Sequence, residues 1–187
     1  MNVHAEESRK RMVNGSVQIV RPEREDYVAM AEILVSGWRT SYRDIVSDVY
    51  LETLSAEHAC EEMLDNKKGN AFFVAKIENK TVAFCRYSLT IPIEKQDGFD
   101  GTISELYVNP ELKHKGIGSI LFEQVMRDFE RNGNHAVLLG CFSANTPSLQ
   151  FYEKMGGKAV YEKDLVIGGE AYSTTFFRFE LKCDTKS

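Results

Sequence analysis

The sequence predicts an α/β fold around one core, and three observations carry that prediction. Apolar residues alternate with period two in some stretches and recur every three or four residues in others, so strands and amphipathic helices follow one another along the chain. Prolines, glycines and asparagines stand at the joints between those stretches. The 187 residues are 43% hydrophobic and 27% charged, the composition of an ordinary globular protein. A chain of this length buries about 70% of its unfolded surface.

"VQIVRP" alternates from Val17 and stops at Pro22, the mark of a first strand. Residues 25–38 place Tyr27, Met30, Ala31, Leu34, Val35 and Trp38 on one stripe and predict a helix. Residues 46–64, with Val49, Leu54 and Leu64, predict another. "NAFFVAKIENKTVAFCRYSLTIPI" predicts a two-stranded hairpin turning around Asn79 and Lys80, and "GTISELYVNP" a strand ended by Pro110. A helix over residues 117–131 meets its stop at Asn132 and Gly133. "HAVLLGCF" then reads as a short buried strand. "NTPSLQFYEKMGG" predicts a helix opening at Asn145, with Pro147 in its first turn, and closing at Gly156. The strands "KAVYEKDLVI" and "STTFFRFELK" complete the fold. No repeat or linker interrupts it. Residues 1–15 are expected to form a flexible tail and residues 16–187 a single domain.

A net charge of −5 argues against a nucleic-acid partner, which requires a basic face. No apolar run approaches the ~18 residues that span a bilayer, and "MNVHAEESRKRMVNGS" lacks the apolar centre of a secretory signal. No membrane partner is expected. Cys60, Cys85, Cys141 and Cys183 form no CxxC pair, which suggests a reducing, cytoplasmic location. His4, His58 and His135 have no partner at metal-ligand spacing, so no metal is expected.

"NPELKHKGIGSILFEQVM" is the most informative stretch. The first N–H groups of a helix have no intrahelical acceptor, and the helix dipole adds about half a positive charge there. Gly116 and Gly118 leave that backbone bare, Lys113, His114 and Lys115 ring it with positive charge, and Ile117 and Ser119 complete the turn. The pattern suits an anion; the same glycines would also serve a turn or close helix packing. A Walker A loop needs a lysine after the second glycine, where Ser119 stands, and a dinucleotide fingerprint needs a third glycine, where Leu121 stands.

"LYVNPELKHKGIGSILFEQV" resembles the acetyl-CoA loop of the GNAT superfamily of N-acetyltransferases, whose form is Arg or Gln, two variable positions, Gly, one variable position, then Gly or Ala. Lys113 takes the first position, a charge-preserving departure, and His114 replaces a frequent glycine. "NTPSLQFYEKMGGK" is similar to the asparagine, tyrosine and glycine block that follows the family's fifth strand, and "WRTSYRDIVSDVYLETLS" resembles the first two helices of many bacterial members. The likeness runs from about residue 17 to 182. It implies a mixed, twisted, mostly antiparallel sheet flanked by helices, with a splayed central strand pair and acetyl-CoA in the cleft. The pyrophosphate would meet N–H groups between His114 and Ser119. Leu106, Tyr107 and Val108 would offer backbone to the pantetheine arm, and Asn145 would bond to it.

The implied activity is transfer of an acetyl group to a primary amine, on a small molecule or a protein, by direct attack in a ternary complex. An alkyl amine is only ~0.1% neutral near pH 7, so removing its proton costs about 4 to 5 kcal/mol. Glu105, beside the thioester, is the expected base, although simple alternation sets it on the face opposite Ser104 and Leu106, and only a bulge would turn it. In relatives that use a glutamate of the fifth strand, the corresponding position here is Gly140. Tyr152, about 10 Å along the helix from Asn145, is the expected acid for the departing sulfur; its alternative is a packed core tyrosine. Trp38 and Tyr42 are expected at the acceptor pocket, where aromatic faces attract a cation, against the alternative of packing. The rival from another class is a sensor that binds acyl-CoA without turnover. "STTFFRFELK", read as an exposed sheet edge, would provide a route to a homodimer.

Overall fold

The computed structural model describes residues 17–91 and 98–182. The expected tail, His4, residues 92–93 of the hairpin's second arm and Cys183 lie outside them. The strands are β1 (Val17–Val20), β2 (Ala71–Ile77), β3 (Lys80–Ser88), β4 (Gly101–Val108), β5 (Ala136–Phe142), β6 (Lys158–Ile167) and β7 (Glu170–Glu180). The helices are α1 (Asp26–Ser41), α2 (Asp48–Thr53), α3 (Ala56–Asp65), α4 (Ile117–Arg131) and α5 (Thr146–Lys154), with a 3-10 turn at Pro110–Leu112. The described strands form one open sheet in the order β1-β2-β3-β4-β5-β7-β6. Every pairing is antiparallel except β4 with β5. The mixed, mostly antiparallel sheet flanked by helices is therefore present.

Helices cover both faces of the sheet, which is why β2 reads as an unbroken apolar run rather than an alternating one. Phe73 and Ala75 face α4, joining Ile117, Leu121, Phe122, Val125 and Phe129 in the main core. Phe72 and Val74 face the other way, against Met30 and Ile33 of α1 and Met63 of α3. Each fully buried side chain of this size contributes about 1.5–3 kcal/mol. A third cluster, Val46, Leu51 and Phe142 with Trp38, Tyr42, Tyr50 and Tyr172, packs where β5 leaves β4. On the α4 face, Arg21 donates to Tyr87 Oη (2.6 Å) and Asp128 Oδ2 (2.9 Å), and Tyr87 donates to the same carboxylate oxygen.

The helix expected over residues 46–64 is two helices. Ser47 accepts from Tyr50 N and Ser55 from His58 N, so each serine caps a new start, and Leu54 between them is extended. The hairpin turns at Glu78 and Asn79, both at positive φ (49° and 62°), with Lys80 already in β3. The strand read as an edge, β7, lies inside the sheet between β5 and β6. The outer strand on that side is β6, so the route to a homodimer through "STTFFRFELK" is closed by β6 itself. No helix among the described residues is long and apolar enough to cross a membrane.

Candidate active site

The site begins where the one parallel pairing fails. β4 and β5 pair only from Gly101 with Val137 to Ile103 with Leu139. Beyond Ile103 the strands diverge around a cleft of about 840 Å³ lined by β4, the glycine turn, β5 and α5. Asn109 N donates to Val82 O at 2.8 Å. Because antiparallel ladders alternate, Tyr107 and Glu105 then direct their peptide groups to β3, while Leu106 and Val108 turn theirs into the cleft. Those groups have no strand partner there, and an extended ligand arm would satisfy them.

At one end of the cleft stands the start of α4. Gly116 is its N-cap at φ 83°, with no side chain closing the helix end. The N–H groups of Ile117, Gly118 and Ser119 therefore lack intrahelical acceptors. A Cβ at Gly118 would meet nothing nearer than Val108 Cγ2 at 3.5 Å, so protein packing does not require glycine there. His114 also lies at positive φ, 62°, where glycine would be unstrained. His114 and Lys115 are exposed at the rim. Lys113 instead donates from Nζ to Ser41 Oγ at 2.9 Å and ties the turn to the end of α1, and its partial burial lowers its pKa.

On the opposite wall, α5 presents Asn145 and Tyr152 to the same cleft. Asn145 caps the helix, its Oδ1 accepting from Ser148 N at 3.3 Å. Tyr152 is 9% exposed, packs on Phe122 and Phe177, and has no hydrogen-bond partner for its hydroxyl among the described residues. Burial holds its pKa well above the ordinary phenol value, reinforced by Cys141, Tyr42 and Cys85. Cys141, also in the cleft, is pushed up to about 12 by burial.

Glu105 occupies the wall shared with the helices α1 and α3. Arg86 pairs with Glu105 and Tyr87 with Ile103, which leaves Ser104 as an extra residue in β4. This bulge turns Glu105 and Tyr107 away from the α4 face on which Ile103 packs; Glu105 stays opposite Leu106, as alternation sets it, but lies enclosed on the α1 and α3 side rather than in solvent. The Glu105 side chain is 18% exposed, against Arg86 at 12%. Arg86 Nε lies 2.9 Å from Glu105 Oε2, yet the alignment is not that of a hydrogen bond and neither atom has another partner. Desolvation raises the Glu105 pKa to about 7; the Arg86 charge and its close side-chain contact oppose the shift, and Glu62 adds to it.

The two expected acceptor residues separate. Tyr42 lines the cleft, its hydroxyl 3.3 Å from that of Tyr107. Trp38 lies behind it, edge-on to Tyr42 at 4.9 Å and near Tyr50 and Phe142. Gly140 is close-packed: a Cβ would meet the Phe176 ring at 3.0 Å and Thr174 Cγ2 at 3.2 Å, so a side chain there requires those neighbours to shift. Sequence reasoning missed Arg86, Glu62 and Cys141. Only the "CRYS" arginine inside a hydrophobic strand signalled a buried charge in need of a partner. His135 Nδ1 pairs with Asp100 at 3.0 Å, and no cluster of three metal-ligating side chains occurs among the described residues. A second, more open hollow of about 600 Å³ beside α1 holds no convergent chemistry; Arg39 there donates to the Leu51 and Leu54 carbonyls.

Comparison with known proteins agrees with this geometry. The model of the "Acetyltransferase (GNAT) family" matches residues 27–157. An uncharacterized N-acetyltransferase of Bacillus subtilis, YuaI, is 27% identical over 147 residues, covering 78% of this chain and 82% of that protein. The spermidine N(1)-acetyltransferase of Thermoplasma acidophilum is 26% identical over 150 residues, covering 76% and 89%. Among solved structures, the PaiA N-acetyltransferase of Thermoplasma acidophilum in complex with coenzyme A superposes with a TM-score of 0.67 at 22% identity, over 88% of this chain and 99% of that one.

Proposed function

The chain belongs to the acetyltransferase (GNAT) family, and from that premise we propose that it moves an acetyl group from acetyl-CoA to a primary amine by direct attack. The observation that carries the reading is the open edge of β4, which runs from an uncapped glycine turn at one end to a buried carboxylate and a buried phenol at the other. Bound acetyl-CoA would supply the acetyl thioester and, after transfer, a leaving thiolate.

The N–H groups from Ile117 to Ser119 hold the diphosphate, with His114 and Lys115 at the rim, and Lys113 keeps the turn in place through Ser41. Leu106 and Val108 bind the arm as a strand would, and one of their N–H groups faces the charge that develops on the carbonyl oxygen. Glu105 takes the ammonium proton: with a pKa of about 7 it is largely ionised above neutrality and still basic enough to accept. Tyr152 donates to the sulfur, and the second proton shed by the attacking nitrogen as the amide forms restores the phenol. Cys141 stays protonated at a pKa of about 12 and is a poor nucleophile, which favours direct transfer over a cysteine-bound acetyl group. Tyr42 and Tyr107 shape the acceptor side. The acceptor is an amine of a small molecule or a protein, and the spermidine enzyme above makes polyamines the first class to try.

The test is thiol release from acetyl-CoA over a panel of polyamines, amino acids and peptides, with product masses recorded. Acetylated amine from the wild type, and a kcat about 10²-fold lower in Tyr152→Phe at unchanged KM for acetyl-CoA, is expected. Saturable binding of acetyl-CoA without turnover across the panel would favour the sensor.

A further inference from the structure

Three charges from three elements meet at the Glu105 wall. Arg86 of β3 is held between Glu105 of β4, at 2.9 Å, and Glu62 of α3, at 3.5 Å, with Phe72 beneath its guanidinium at 5.7 Å. Glu62 is 61% exposed on its side chain, whereas Arg86 and Glu105 are nearly enclosed. The inner contact is close but poorly aligned, leaving Arg86 Nε and Glu105 Oε2 as buried polar atoms without a hydrogen bond. A pair built for stability alone would be bidentate and satisfied.

We propose that Arg86 is a positioning residue for the acetyl transfer: it holds the Glu105 carboxylate at the cleft wall, while Glu62 draws on the same guanidinium from outside, so α3 tunes the proton acceptor. The inference rests on the reading of Glu105 as that acceptor. The other groups bearing on Glu105 are neutral: Tyr42 at the C-cap of α1, Tyr107 on its own strand and Cys85 of β3, each held in its protonated form chiefly by burial. The two charged neighbours act with opposite sign, Arg86 favouring the ionised carboxylate and Glu62 opposing it. A helix that docks on this face through α1 therefore carries an adjustable charge two residues removed in contact from the chemistry.

The experiment is the pH profile of kcat/KM for the best amine, in wild type, Glu105→Gln, Arg86→Met, Arg86→Lys and Glu62→Gln. Glu105→Gln removes the acid limb. Arg86→Met moves that limb upward by about one pH unit or more, Arg86→Lys largely restores it, and Glu62→Gln moves it downward by a few tenths of a unit. A merely structural role would lower rates without moving the limb in opposite directions. If Glu105→Gln abolishes the limb while Arg86→Met and Glu62→Gln leave it in place, the positioning role is overturned and the base survives. If Glu105→Gln keeps the limb, the assignment of the base fails first. Should Arg86→Met not fold, Glu62→Gln, a change at an exposed side chain, decides by the direction of its shift.

Discussion

Phe72 and Phe73 sit side by side in β2 and point to opposite faces of the sheet, and each carries an arginine. Arg21 lies 3.9 Å over Phe73, and Arg86 lies 5.7 Å from Phe72. Each guanidinium faces a carboxylate from a different element. On the α4 face, Asp128 receives both Arg21 and the Tyr87 hydroxyl, and Arg21 also donates to the Phe72 carbonyl at 3.1 Å. On the other face, Glu105 touches Arg86 without an aligned hydrogen bond. An arginine and a carboxylate thus make a closed clamp in one place and an under-satisfied acid beside a cleft in the other. What separates them is the number of donors that reach the carboxylate, since a satisfied buried charge is fixed and an unsatisfied one is ready to take a proton.

The comparison is broken most sharply by neutralising each acid. Glu105→Gln should lower kcat/KM about 10³-fold near pH 7.5, while Asp128→Asn should change it by less than about twofold, as steady-state assays will record. Stability should move the other way for Glu105. Its folded pKa, about 7, lies above the ordinary carboxylate value of 4.5, so the folded state binds the proton more tightly and loses stability as pH rises from 4.5 through 7. Glu105→Gln should therefore match wild type near pH 4 and exceed it by up to about 3 kcal/mol at pH 8 in urea titrations. Asp128→Ala should cost about 2 kcal/mol, lowering Tm by roughly 6 °C, because it leaves the buried Tyr87 O–H without its acceptor and Arg21 Nη2 without its carboxylate. The smallest effect probes the other end of the cleft. Gly118→Ala has room to fold, so its Tm should hold or rise, while calorimetry should find coenzyme A bound about tenfold more weakly because the new methyl stands where phosphate would approach.

Much of this was legible in the chain. The periods of two and of three to four located the strands and long helices, and the caps at Gly116 and Asn145 fell where the glycine loop and the "NTP" start implied. The break between α2 and α3 was readable in Ser47 and Ser55, but the continuing apolar spacing masked it. The bulge at Ser104 was not readable, because no glycine or proline marks it; the register with β3 creates it, and that register is a property of two strands together. For the same reason Arg86 stayed hidden. It is 19 residues from Glu105 along the chain and reaches it only through cross-strand pairing. The placement of β7 inside the sheet likewise depends on its turning back between β6 and β5, which its own alternation does not encode.

The claim beneath this account is that Glu105 is a proton acceptor poised by burial near neutral pH, and the most direct measurement is a carbon-13 carboxyl NMR titration of Glu105 in the intact protein, assigned with Glu105→Gln. A midpoint near 7 is the result expected from its enclosure beside Arg86. A midpoint at or below 4.5, the ordinary value for a solvated glutamate, would contradict it.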